Sequence, residues 1–166
     1  MKRTFYLMLA AVMIITACQS KTKIVPVDTA AAKVAISTVL DKANSAWNAK
    51  DANTLISLLT DDGLFCGTDP SEFWDKKTLS DLWTQGFADT SFVGNFSIDK
   101  REIRVAADGN SAIAVEQSYM KVISQKIPVR LIYHVVKSGD NWMFDFLSWG
   151  FIPKNEDIVK LNKALE

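Results

Sequence analysis

Apolar residues recur at spacings of four, three and four along Ile36, Leu40, Ala43 and Trp47, which is one face of a helix. Asp28 or Thr29 stands where a side-chain oxygen would cap its start. Asn48-Ala49-Lys50-Asp51 interrupts the pattern, and Asp51 is placed to cap a second, short helix. Leu55, Ile56, Leu58 and Leu59 make that helix apolar around most of its circumference, which predicts burial. Thr60-Asp61-Asp62-Gly63 ends it, with Gly63 expected at a left-handed stop. Leu64-Phe65-Cys66 follows as a short strand, turned by Gly67-Thr68-Asp69-Pro70. Leu79, Leu82, Trp83 and Phe87 then share one face of a third helix that begins near Asp75.

From Phe92 onward the period changes to two. Phe96 and Ile98, then Ile103 and Val105, sit on strand spacing, and the alternation changes phase around Lys100, as at a bulge. Asp108-Gly109-Asn110 marks a hairpin. Strands are expected over Ala112–Ile123, Ile127–Lys137 and Trp142–Phe151, joined by Ser124-Gln125-Lys126 and Ser138-Gly139-Asp140-Asn141. Pro153 stops the last, and Asn155 is expected to cap a final helix with an Ile158, Leu161, Leu165 stripe. Helices followed by a long antiparallel meander make an α+β fold, with the helices on one face of a curved sheet and one helix at the end. No repeat, low-complexity stretch or linker divides residues 28–166, so they form one domain.

The first residues do not belong to that domain. Lys2 and Arg3 precede an apolar run from Phe5 to Ile15, too short to span a membrane and flanked as a signal peptide is. Ile15-Thr16-Ala17-Cys18 resembles a bacterial lipobox, which predicts a leader over 1–17, a lipid-modified Cys18, and a polar tether over 18–27. Lipid on Cys18 leaves Cys66 without a disulfide partner. The expected location is a bacterial cell envelope, with attachment to a membrane, on its periplasmic side or at the cell surface, through acyl chains. Cleavage would take Lys2 and Arg3 from 19 basic side chains and none of 19 acidic ones, leaving the domain two units negative. That balance offers no footprint for nucleic acid.

Four stretches carry a family resemblance: Trp47-Asn48-Ala49-Lys50-Asp51, Leu58-Leu59-Thr60-Asp61-Asp62-Gly63, Gly67-Thr68-Asp69-Pro70-Ser71-Glu72-Phe73-Trp74, and Gly139-Asp140-Asn141-Trp142-Met143-Phe144-Asp145-Phe146-Leu147-Ser148. With the order of elements, they make residues 30–152 similar to the SnoaL-like branch of the nuclear transport factor 2-like superfamily. The resemblance implies a sheet that wraps the helices into a cone whose open end often holds a ligand, and a homodimer through the sheet's exposed side, near Trp149 and Phe151. It implies no single function, because the fold hosts isomerases, dehydratases, binding domains and dimerisation modules.

Chemistry is sparse. One histidine, His134, and one free cysteine do not make a zinc site, and no metal or cofactor is expected. Asp61, Asp62, Asp69 and Glu72 are the carboxylates open to a hard cation, and they read as turn and helix-end residues. His134 lies mid-strand with no serine elbow anywhere, and reads as a surface residue or one satisfied by a neighbour. In the ketosteroid isomerases of this fold a carboxylate base works beside a tyrosine or a protonated acid. Aligned on Asp61-Asp62, their aspartate falls at Gly67; aligned on Trp47-Asn48-Ala49, their tyrosine falls at Ala43. Asp69 reaches the base position only by a two-residue shift.

What remains is a pocket. Trp74, Trp83, Phe87, Tyr119, Tyr133 and Phe146 are expected to line the cone, with Asp69, Glu72 or Arg130 as polar points at its mouth. Two classes of function follow. The first is a non-catalytic envelope lipoprotein domain that binds a small apolar or amphipathic molecule, or a protein partner. The alternative is an isomerase or dehydratase with Asp69 as general base, and it requires that carboxylate inside the cavity.

Overall fold

The computed structural model describes residues 28–121 and 124–166. The expected leader, Cys18 and the tether lie outside the described residues, as do Val122 and Ile123, where the strand from Ala112 was expected to end.

Helix α1, Thr29–Asn48, starts where the Asp28 carboxylate accepts from the Ala30 and Ala31 amides, at 3.1 and 2.9 Å. It buries Ile36, Leu40, Ala43 and Ala46. It stops because Lys50 turns left-handed, at φ 56°, which lets the Asp51 amide reach back to the Ala46 carbonyl at 2.8 Å. Asp51 then caps α2, Ala52–Ser57, through the Thr54 amide at 3.0 Å.

Here the structure departs from the sequence reading. α2 ends at Ser57, and strand β1, Leu59–Cys66, begins two residues later. Leu58 and Leu59 are buried as expected, but at the helix–strand junction. Gly63 is not a left-handed stop, since the positive-φ glycines of the described residues are Gly109 and Gly139. It is buried within β1, where a Cβ would strike the Phe65 ring and the Asp145 carbonyl, 3.0 Å away. A run of leucines has no period that separates a helix from a buried strand.

Strand β2, Phe73–Trp74, folds back on β1 with Phe65 opposite Trp74. Helix α3, Lys76–Ala88, is capped by Asp75, which accepts from the Thr78 amide at 2.7 Å. Leu79 and Trp83 face inward, while Leu82, expected beside them, is exposed. Strands β3, Phe96–Val105, β4, Ser111–Met120, β5, Val129–Ser138, and β6, Asn141–Phe151, form the antiparallel run. The whole sheet has the order β2-β1-β6-β5-β4-β3 and is mixed, because β1 joins β6 in parallel.

Two bulges set which side chains face the helices. Ile98 pairs with Ser118 and Lys100 with Gln117, so Asp99 is the extra residue behind the phase change at Lys100. His134 pairs with Phe146 and Val135 with Phe144, so Asp145 is extra in β6. The second bulge turns Phe144 and Leu147 inward and Phe146 outward. At the end of the chain Asn155 makes no side-chain cap; a 3₁₀ turn, Asn155–Asp157, leads into α4, Ile158–Ala164. The expected stripe there is not buried, with Leu165 86% exposed.

The joint between α1 and the sheet rests on Asn48. Its side-chain amide donates to the Phe96 carbonyl at 3.0 Å and accepts from the Phe96 amide at 2.8 Å, as a neighbouring strand would. Asn48→Ala should lower stability by about 1–3 kcal/mol, because both backbone groups of Phe96 lose their partner. Urea denaturation measures this, and an unchanged midpoint would show that the clamp is dispensable.

Candidate functional site

Three polar residues of α1, Ser37, Asp41 and Asn44, come round at intervals of four and three beside the apolar face. They meet Arg101 of β3 and Glu116 of β4. The Arg101 guanidinium donates to Glu116 Oε1 at 2.6 Å, to Asp41 Oδ1 at 2.8 Å and to Ser37 Oγ at 2.7 Å. Glu116 is 0% exposed. Asn44 Nδ2 lies 3.3 Å from each of its oxygens, and the Tyr133 hydroxyl donates to Oε2 at 3.3 Å. Burial pushes the Glu116 carboxyl above its ordinary range, and the charge and hydrogen bond of Arg101 pull against that. Burial, reinforced by the Glu116 charge, raises the Tyr133 phenol well above its own.

A carboxylate has about four lone-pair sites. Asn44, Arg101 and Tyr133 make four donor contacts to the two Glu116 oxygens, two of them from the single Asn44 Nδ2, so the carboxylate is held by protein groups on both sides. The cluster clamps α1 to the sheet through a satisfied polar network.

Two hollows that share part of their walls lie on the helix side of the sheet. The inner one, about 50 Å³, has Asn44 and Tyr133 as its polar wall and Phe144, Leu147 and Leu131 as apolar ones. It has room for a few water molecules and no more. The outer one, at the mouth, is about 210 Å³ and shares Trp47, Trp83 and Trp149 with the inner. Trp74, Phe87 and Phe92 complete its aromatic wall, and Glu72 is its one charged residue. Trp74 and Trp149 stand 6.2 Å apart at 51°, and Trp47 meets Phe87 edge-on at 5.3 Å. Trp47 Nε1 is buried with no acceptor among the described residues. Gly67 permits the arrangement: a Cβ there would lie 2.6 Å from the Trp74 ring and 2.7 Å from the Glu72 carboxyl carbon.

Of the residues expected to line the cone, Trp74, Trp83, Phe87 and Glu72 meet at the mouth, and Tyr133 lines the inner hollow. Tyr119, Arg130 and Phe146 do not enter it. They lie on the outer face of the sheet, because the Asp145 bulge and the inward parity of Tyr133 put them on the other side. Trp149, expected on that outer face, points inward instead. Asp69 is exposed; its carboxylate accepts from the Ser71 hydroxyl and amide, which holds it below the usual range. It organises a turn and is not the base in the cone that the enzyme alternative requires.

Tyr119 borders a wider groove of about 540 Å³ under α4, whose Lys154 and Lys160 are paired to Glu156 and Asp157. That groove holds no buried polar group and is the weaker candidate despite its size. His134 is satisfied by Asp145, 2.7 Å away on the outer face. Asp61 is engaged by Lys76 at 2.8 Å. Among the described residues no three His, Cys, Asp or Glu side chains converge as metal ligands would.

The sequence reading missed Asn44, Arg101 and Glu116 as a unit. A signal was present: Glu116 shares the inward parity of Ala112, Ala114, Ser118 and Met120, where a charge demands a partner. Arg101→Met should cost about 3–5 kcal/mol near neutral pH, since it leaves a buried carboxylate without its counter-charge. The loss should shrink as pH falls through the raised pKa of Glu116, because the protonated acid needs no cation. Denaturant titrations at several pH values measure this, and an equal loss at all of them would refute the clamp.

Comparison with known proteins agrees with this architecture. A protein of unknown function from Pectobacterium atrosepticum superposes with a TM-score of 0.64 at 12% identity, over 78% of this chain and 100% of that one. A cystatin-like domain from Nostoc punctiforme gives 0.65 at 16%, covering 80% and 85%. An NTF2-like protein from Pseudomonas putida gives 0.61 at 18%, covering 78% and 92%. No curated relative matches the chain. The model of the SnoaL-like domain matches residues 36–145, well over half of the sequence. This chain, with its helices packed into a curved mixed sheet of NTF2-like form, belongs to the SnoaL-like domain family.

Proposed function

We propose that this chain is a lipid-tethered, non-catalytic binding domain of a bacterial cell envelope, which takes one small and largely apolar molecule at the open end of its cone. The observation that carries the reading is the mouth cavity: about 210 Å³, walled by four tryptophans and two phenylalanines, with a single carboxylate. A concave apolar site with one placed polar group is the usual form of a small-molecule pocket. The buried, unpartnered Trp47 Nε1 adds a donor that a bound acceptor would satisfy. The non-catalytic part of the reading is supported by the two carboxylates considered among the described residues: Asp69 caps an exposed turn, and Glu116 is held by Asn44, Arg101 and Tyr133.

Thermal unfolding across fatty acids, bile acids, amines and aromatic metabolites tests the pocket. At least one compound should raise the melting temperature of the wild type, since a ligand that binds only the folded state stabilises by mass action. Trp74→Ala should abolish that rise. Trp74 is half-buried, so its loss in the ligand-free protein should stay below the roughly 3–5 kcal/mol of a fully buried aromatic. A large ligand-free destabilisation, with no compound shifting the wild type, would leave a structural tryptophan and no pocket.

The tether has its own test. In this reading Cys18 carries at least two acyl chains, because one chain binds a membrane only marginally. Cys18→Ala should release the domain into the soluble fraction or accumulate an uncleaved precursor. Unchanged membrane partition of a correctly cleaved mutant would defeat the proposal.

A further inference from the structure

We infer that the mouth cavity selects a small organic cation, an alkylated ammonium group seated against Trp47, Trp74, Trp83 and Trp149 with Glu72 as its counter-charge. The inference deepens the binding reading above and stands on it. Its first ground is composition: four of the chain's five tryptophans line this one cavity. A core needs apolar volume, and leucine or phenylalanine supplies that. Tryptophan adds the most electron-rich ring face among the side chains, and a cation held over such a face within about 6 Å of its centre is attracted to it.

The second ground is charge. Glu72 is the only ionisable group on the wall, and it enters no ion pair among the described residues. Its Oε2 accepts from the Asp69 amide at 2.9 Å, which fixes the carboxylate at the cavity rim beside Trp74. A neutral ligand without a hydrogen-bond donor would take water from that carboxylate and give nothing back. A cation would compensate it directly.

The third ground is that a ring of this wall already holds an ammonium. Lys50 Nζ stands 5.7 Å from the centre of Phe92, while its charge is turned to the Asp89 carbonyl at 3.1 Å. Lys50 is not part of the cavity lining, so its ammonium does not occupy the cavity. The cavity volume sets the size. About 210 Å³ is below that of sites for drug-sized molecules, so the headgroup is a methylated amine and not a fused-ring cation.

The test compares choline with 3,3-dimethyl-1-butanol, which has the same shape with carbon in place of the charged nitrogen. Binding is followed by tryptophan fluorescence and calorimetry on the intact folded domain. Choline should bind saturably, at least about tenfold tighter than the neutral isostere. Glu72→Gln should remove most of that advantage by weakening choline, and it should not weaken the isostere, which no longer has to desolvate a carboxylate; a glutamine oxygen still accepts the Asp69 amide. The comparison of the two compounds on wild-type protein needs no variant, so it stands if Glu72→Gln fails to fold. Equal affinity for both would overturn the cation and leave a neutral pocket in place. Binding of other neutral compounds with neither probe bound would overturn it in the same way. Absence of binding by both probes and by every compound in the thermal screen would remove the pocket reading along with it.

Discussion

The contact between Arg101 and Glu116 constrains more of this domain than any apolar pair does. A carboxylate with no access to water is tolerable only where its donors stand in fixed places. Here those donors come from three elements: Asn44 from α1, Arg101 from β3 and Tyr133 from β5. An apolar stripe such as Ile36, Leu40 and Ala43 permits a helix to slide along a sheet at modest loss. A guanidinium that must meet Ser37, Asp41 and Glu116 at once does not. The register of α1 on the sheet is therefore set by polar geometry, and Trp47, one turn beyond Asn44, is delivered to the mouth of the cone as a result.

Much of the fold was legible because local chemistry and global architecture agree. Asp28, Asp51 and Asp75 cap helices where a short oxygen side chain before an apolar-periodic run predicts it. Asp108-Gly109-Asn110 and Gly139-Asp140 turn hairpins because a glycine takes the positive φ that each requires. The phase change near Lys100 was visible as a break in alternation, and it is a bulge. The misreadings have a different origin. Gly63 admits the Phe65 ring, two residues on, and the Asp145 carbonyl from a distant part of the chain, and nothing in the local sequence distinguishes such a glycine from a helix stop.

The site was legible only in part, for a related reason. Trp74, Trp83 and Phe87 lie close together in sequence and meet in space. Phe146 was placed in the cone by counting twos along β6, and the extra residue Asp145 reverses the count at that point. The same slip exchanged Trp149 between faces. Trp47, Phe92 and Trp149 belong to the cavity by tertiary approach alone, from α1, the segment after α3 and β6. Glu116 was readable from strand parity. Its partners were not, since they lie up to 72 positions away in the chain.

The parallel pairing of β1 with β6 also has a consequence in time. Phe65 faces Leu147, and Trp74 meets Trp149, so an early segment waits for the last strand before it gains its neighbour. Closing so long a loop carries an entropic cost that only the finished interface repays, and such non-local pairings form late. The β3–β4–β5–β6 meander, whose strands pair with their neighbours in sequence, is free to assemble first. The aromatic mouth is then the final part of the domain to appear, and for as long as β6 is unavailable the chain stays an open, unsealed sheet.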